Sequence, residues 1–236
     1  MKTENPNREP TTENLESKYR TVLFDIDGTL VDSNEAHAQA WVNAFEEAGL
    51  TIDLEKIRRA IGMGGDKLMP IVSRIEENSP LGQSIARRRR EIFVNDLLPR
   101  VQPFPDAARL VTALKERGYT MVAASSAKKN ELSRLLKIAG ADGQLDAATS
   151  SDDAENSKPD PDIIQVALER ARTSPAEAVM IGDTPYDIAA AARAGVQTIA
   201  FRCGGWRDEN LKGAIAIYDG PWDLCEHLDS SPLSTC

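Results

Sequence analysis

The chain has 236 residues and 41% hydrophobic content, enough for one sizeable core with or without an inserted unit, and its net charge is -9 at pH 7. That charge argues against a surface built to bind nucleic-acid phosphates, and any anionic substrate would need cations gathered locally. Cys203, Cys225 and Cys236 form an odd set without CxxC spacing, so neither a disulfide framework nor a zinc site is expected, and a reducing, cytoplasmic setting is the simplest reading.

Residues 1–18 carry four glutamates and no apolar stretch, which predicts a disordered tail rather than a signal peptide. No run approaches the roughly 20 apolar residues of a membrane span. The first ordered element is expected at Thr21, Val22, Leu23, Phe24 and Ile26, a short buried strand that runs into Asp25, Asp27 and Gly28. Read alone, a DxD string is a turn. At the carboxyl end of a strand in an open α/β sheet it would stand at the mouth of the ligand crevice, where two like charges require a cation or a proton.

Ser33 to Leu50 reads as a helix, with Ala36, Ala40, Ala44 and Ala48 at period four beside Trp41 and Phe45, closed by Gly49. Further amphipathic segments are expected at Leu54 to Ile61, Lys67 to Ile75 and Gln83 to Leu98, broken by Gly62 to Gly65 and by Asn78 to Pro80. With no strand pattern between them, they predict a four-helix bundle inserted after the first strand. Arg87 to Arg90 are expected to be solvated, and because four successive residues span about 300° of a helix they cannot all serve one ligand.

After Pro103 and Pro105 the pattern alternates. Asp106 is expected to cap a helix through Arg117, Tyr119 to Ala124 to form a strand, and Lys128 to Ala139 a helix. A weak strand at Ala147 to Ser150 and a helix at Pro161 to Ala171 follow, with Lys158 placed at that helix's start. Ala178 to Ile181, Val196 to Phe201 and Ala214 to Ile217 complete the strands, Tyr186 to Ala194 is helical, and Asp229 to Cys236 reads as a frayed tail. Alternation of this kind predicts an α/β fold, a doubly wound parallel, Rossmann-like sheet. Ser125, Lys158, Asp183 and Asp187 then fall at strand or helix ends facing Asp25.

The strings FDIDGTL from Phe24, the strand-closing Ser125, SKPDP from Ser157 and GDTPYD from Gly182 resemble, in order and position, the motifs of the haloacid dehalogenase superfamily. The resemblance covers about residues 20 to 228. It is to helical-capped phosphatases of the phosphoglycolate phosphatase and β-phosphoglucomutase-like kind. It implies a core of residues 19–32 and 101–229, a helical cap of residues 33–100 and a C-terminal tail of residues 230–236. It also implies Asp25 as the nucleophile forming an aspartyl-phosphate, Asp27 as acid and then base, and Ser125 and Lys158 as the grip on the phosphoryl group. Magnesium would be held by Asp25, Asp183 and Asp27 through its backbone carbonyl, with Asp187 in support; oxygen-only ligands suit that ion. Substrate contacts are expected from His37, within DSxxxHxxAW, and from Gly62, Lys67, Ser126 and Lys128.

The expected activity is magnesium-dependent hydrolysis of a small phosphorylated metabolite of the sugar phosphate or phosphoglycolate type, by a monomer or weak homodimer without nucleic-acid or membrane partners. A phosphosugar mutase is the alternative, and a catalytically idle partner-binding protein a further one. Ala127, where the mutases carry a second serine, and the GD pair at Gly182 and Asp183, where they carry two acids, favour the hydrolase. Lys128 and His37 are shared by both groups.

Overall fold

The computed structural model describes residues 18–234. Its centre is β1 (Thr21–Phe24), and around it lies a parallel sheet with β4 (Thr120–Ala124), β5 (Ala147–Thr149), β6 (Ala178–Gly182), β7 (Gln197–Phe201) and β8 (Ala216–Tyr218), in the order β5-β4-β1-β6-β7-β8. Phe24 stands beside Ala123 on one side and Ile181 on the other, so three strands end level with one another. Strand residues point alternately to the two faces. Val22 and Phe24 pack with Leu110, Leu114, Leu132 and Leu135 of α5 (Ala107–Glu116) and α6 (Lys129–Ile138). Leu23, Val122 and Met180 pack with Ile163, Ala167 and Ala190 of α7 (Asp162–Ala171) and α8 (Pro185–Arg193). Helices on both faces explain why the strands are apolar throughout rather than alternating.

The chain leaves this core through β2 (Val31–Asp32) and returns through β3 (Gln102–Pro103), which pair antiparallel. Between them lie α1 (Asn34–Glu47), α2 (Leu54–Arg58), α3 (Gly65–Ser73) and α4 (Pro80–Ile92). The helical periodicity is realised as a buried stripe, with Trp41 stacked on Phe45 at 5.7 Å and Ile85 and Ala86 of α4 enclosed. The bounds differ from expectation for local reasons. α4 starts earlier, because the Ser79 hydroxyl accepts from the Gly82 N–H and Pro80 suits the first helical position, and its last turns widen into a π-turn over Phe93–Leu97. α3 starts at Gly65, which leaves a short loop at Gly62 to Gly64.

Three further expectations are corrected. Asp106 sits at the start of α5 in the left-handed region, φ 56°, and its side chain makes no cap hydrogen bond. Lys158 lies in a loop ahead of α7, which begins only at Asp162. The described part of the segment after Asp229, through Ser234, is not frayed: α9 (Pro221–Glu226) precedes it, Leu228 and Leu233 are buried, and the Tyr119 hydroxyl donates to the Leu233 carbonyl at 3.0 Å. The expected N-terminal tail, apart from Lys18, and Cys236 lie outside the described residues. Among the described residues no helix is long and apolar enough to cross a membrane.

Candidate active site

Asp25 is the first residue beyond β1, and its backbone N–H donates to the Ile181 carbonyl at 2.9 Å, extending the strand contact with β6. This fixes its carboxylate at the sheet's carboxyl edge beside Asp183, which follows β6. Asp25, Asp183 and Asp187 bring oxygens within 4.8 Å of one another, all three side chains buried. The Lys158 ammonium, fully enclosed, lies 2.6 Å from Asp25 Oδ1 and 2.7 Å from Asp187 Oδ1. Burial pushes the Lys158 ammonium toward deprotonation, but Asp187 and Asp25 outweigh it and the group stays charged. Burial also dominates at Asp25: although Lys158 opposes it, the Asp187 and Asp27 charges assist, and the carboxyl is pushed up to about 7. Asp183 is driven well above the ordinary carboxylate value by burial and by Asp187 and Asp25.

Thr29 and Asn34, which sequence reasoning passed over, hold this cluster in place. The Thr29 hydroxyl lies 3.0 Å from Asp183 and 3.2 Å from Asp25, and the Asn34 amide donates to Asp183 and to the Gly204 carbonyl at 3.0 and 3.1 Å. Backbone has to come unusually close. A Cβ on Gly28, at φ +76°, would fall 2.3 Å from Asp183 Oδ2 and from Asn34 Nδ2. The glycine of the DxDG string is therefore required by what lies across from it as well as by its own turn.

Asp27 points elsewhere. Its Oδ1 accepts from Ser33 at 2.5 Å and lies 2.7 Å from His37 Nε2. Burial pushes this carboxyl up, but His37, Ser33 and Arg89 outweigh burial and hold it below the usual carboxylate range. Its side chain is not part of the cluster formed by Asp25, Asp183 and Asp187. Asp187 has a second duty: one of its oxygens accepts from the Thr184 N–H and hydroxyl at 3.0 and 2.6 Å, closing the first turn of α8.

Ser125 is buried at the end of β4, its oxygen accepting from the Ala127 N–H at 3.0 Å. Ser126 meets the Gly62 carbonyl at 3.5 Å, and Gly62 itself presses on Thr184, to which an added Cβ would come within 2.7 Å. The loop of the helical insert thus lies directly over the strand ends. Ser157 completes the junction, accepting from the Gly64 N–H at 3.0 Å and donating to Asp66 at 2.5 Å.

A cavity of about 310 Å³ opens between insert and sheet, lined by Asp25, Asp27, His37, Gly62, Ser126 and Lys128 among others. Lys67 pairs through its ammonium with Asp160 at 2.8 Å and is not among the residues that line the cavity. Two of the four consecutive arginines do line it, Arg89 and Arg90. Arg89 pairs with Glu131, and Lys128 with Asp152 at 2.9 Å, whereas Arg90 has no ion-pair partner among the described residues. Periodicity placed the four arginines around a helix but could not say which side of α4 meets the cavity.

The model of the haloacid dehalogenase-like hydrolases matches residues 22–201, which span the whole site from β1 to β7. The chain belongs to the haloacid dehalogenase-like hydrolases. This hydrolase is similar to pyrophosphatase PpaX of Oceanobacillus iheyensis, 28% identical over 181 residues, which are 77% of this chain and 82% of the relative. Among solved structures it is similar to a hydrolase from Pseudomonas syringae, with TM-score 0.84, 27% identity and coverage of 89% of this chain and 98% of that one. It is also similar to CbbY from Rhodobacter sphaeroides in complex with phosphate, with TM-score 0.74, 26% identity and coverage of 87% and 96%. The protein is a phosphatase of this family.

Proposed function

We propose that the protein is a magnesium-dependent phosphatase that hydrolyses a small phosphorylated metabolite through a phosphoryl group carried on Asp25. The observation that carries this is the convergence of the buried Asp25, Asp183, Asp187 and Lys158 next to a cavity sized for a metabolite. Three buried carboxylates and one ammonium leave an excess of negative charge, and burial first, with the neighbouring carboxylates adding to it, pushes Asp25 and Asp183 up. An all-oxygen donor set of this kind fits a hard divalent cation such as magnesium. Asp25 and Asp183 would hold it, with the Asp27 carbonyl as a further donor and Asp187 supporting through Lys158. When bound, the ion supplies positive charge that offsets the repulsion between these carboxylates and a phosphate dianion.

The chain's own groups do the rest. Two unit charges about 4 Å apart interact by roughly 4 kcal/mol at an effective dielectric of 20, so Lys158 beside Asp25 is worth several kcal/mol to an incoming phosphoryl group. An Asp25 oxygen attacks phosphorus while the bond to the leaving oxygen breaks, and Asp27 passes a proton to that oxygen. Asp27 then takes the proton back from the water that attacks the aspartyl-phosphate and releases inorganic phosphate. Ser125 and Lys158 hold the transferring oxygens. In the resting site Asp27 is a carboxylate, so the proton that it passes to the leaving oxygen is first taken up from solvent or from a substrate monoanion, and the approach of the phosphate charge favours that uptake by raising the proton affinity of Asp27.

Residues 33–100 act as a cap that selects the substrate through Gly62 and His37 together with Ser126 and Lys128 of the core, with Arg90 as the cation left for a second anionic group. Water is the preferred acceptor over a sugar hydroxyl, because Ala127, which lines the cavity, supplies no hydroxyl there. Hydrolysis of 4-nitrophenyl phosphate and of a panel of phosphorylated metabolites, with and without magnesium, tests the reading. Magnesium-dependent phosphate release supports it, and isomer formed faster than phosphate would turn the protein into a mutase.

A further inference from the structure

Outside the carboxylate cluster, the buried His37 and Glu131 are joined through the partly buried Arg89 in a way that the hydrolysis scheme leaves unexplained. Arg89 reaches from α4 of the helical insert and sets Nη1 3.2 and 3.3 Å from the two oxygens of Glu131. Glu131 comes from the first turn of α6, in the core, and is 3% exposed. The other terminal nitrogen of Arg89, Nη2, donates to Nδ1 of His37. A guanidinium has donors only, so Nδ1 has to accept, the imidazole proton resides on Nε2, and Nε2–H points at Asp27 Oδ1, 2.7 Å away. The ring has little freedom to turn: Phe93 stacks on it at 3.9 Å and 16°, and the guanidinium itself lies over Phe93 and Trp41 at 5.2 and 5.6 Å.

We propose that Glu131 is a positioning residue for the reaction: it seats Arg89 against His37, so that His37 turns Nε2–H on Asp27 and fixes the carboxyl that serves the leaving oxygen. Arg89 and His37 belong to the insert, Glu131 and Asp27 to the core, so the arrangement exists only when the two are docked. The inference rests on the role given to Asp27 above. No bond to phosphorus changes; the effect is on where the Asp27 carboxyl stands when its proton crosses to the leaving oxygen, a transfer that matters most when that oxygen is basic.

The experiment compares wild type, E131A and the milder E131Q. Phenyl phosphate and 4-nitrophenyl phosphate have nearly the same shape, but phenoxide is the more basic leaving group. The expected result is a loss in kcat/KM for E131A at least 10-fold larger on phenyl phosphate than on 4-nitrophenyl phosphate, with a smaller difference for E131Q. Side-chain 15N spectra of His37, separated from the second histidine by a H227Q background, are expected to show an Nε2–H tautomer in wild type and a shifted Nδ1 resonance in E131A, where Arg89 has lost its seat and no longer donates to that nitrogen. Equal losses on both esters with an unchanged His37 spectrum would overturn the proposal. So would E131A losses that merely follow a drop in folded fraction, with E131Q indistinguishable from wild type in both readouts. If wild type hydrolyses neither ester, the Asp27 role fails, while the tautomer spectra still decide whether Glu131 positions His37.

Discussion

Thr29 has one hydroxyl hydrogen and two carboxylates within reach, so it serves Asp25 or Asp183 but not both. That shortage fits the upward push on both acids: in the absence of a cation the cluster favours holding a proton. Removing one of these charges should therefore relieve strain in the fold while stopping the chemistry. Asp25→Asn is expected to lower phosphate release at least about 1,000-fold and to leave the thermal midpoint unchanged or raised. Phosphate release and a melting curve on the same preparation check this; a stable variant with substantial turnover would remove Asp25 as the nucleophile. Arg90 offers a test at the substrate's far end. Arg90→Ala is expected to raise KM several-fold for metabolites carrying a second anionic group and to change KM little for those without one. A uniform change across both groups would place Arg90 outside the binding site.

Among elements, α8 ties the site most closely to stability. Asp187 closes its first turn through Thr184 and at the same time pairs with the buried Lys158, so one side chain serves as helix cap and counter-ion. Losing the cap costs about 1 kcal/mol, and because Lys158 keeps Asp25 at 2.6 Å the loss of its second carboxylate costs less than the about 3–5 kcal/mol of a stranded buried charge. Asp187→Ala is accordingly expected to lower unfolding free energy by about 1–3 kcal/mol, read from the midpoint of a urea transition; no shift would show that neither the cap nor the pairing with Lys158 supports the fold. The turn after β1 makes a different demand. In Gly28→Ala the new Cβ meets Asp183 and Asn34, so the variant is expected to lose magnesium-induced stabilisation even where it remains folded.

The whole molecule carries a signature of the cluster in its pH dependence. A carboxyl whose folded pKa lies above its unfolded value binds its proton more tightly in the folded state, so its contribution to stability falls as pH rises between the two values. For Asp25 that window runs from about 3.8 to about 7, and Asp183 acts in the same direction. Asp27 has the opposite sign: its stabilisation is present above its unfolded pKa and is lost as the pH falls below that. The metal-free protein is thus expected to lose thermal stability between pH 5 and 7.5, in the upper part of the Asp25 window and beyond it. Magnesium should raise the midpoint more at pH 7.5 than at pH 5, because protons compete for the same oxygens. Equal magnesium shifts at both pH values would argue against ion binding at Asp25 and Asp183.

Sequence by itself determined the doubly wound sheet, because apolar strands covered by helices on both faces leave a pattern that composition and period reveal. It also determined which strand ends bear Asp25, Ser125 and Asp183, since each acid or hydroxyl directly follows an apolar run. The tertiary structure decided what depends on distance across the chain. Lys158 reads as a helix-start lysine until the fold buries it between Asp25 and Asp187, 133 residues from the first of them. Lys67 reads as a cap cation until Asp160 takes its charge, and the run Arg87 to Arg90 reads as solvated until α4 turns Arg89 and Arg90 toward the core. Glu131 carries no local signal at all, because a glutamate in the first turn of a helix is favoured by the helix dipole alone. Its partners, Arg89 and His37, come from helices 42 and 94 residues earlier in the chain, and only docking of the insert on the sheet brings the three together.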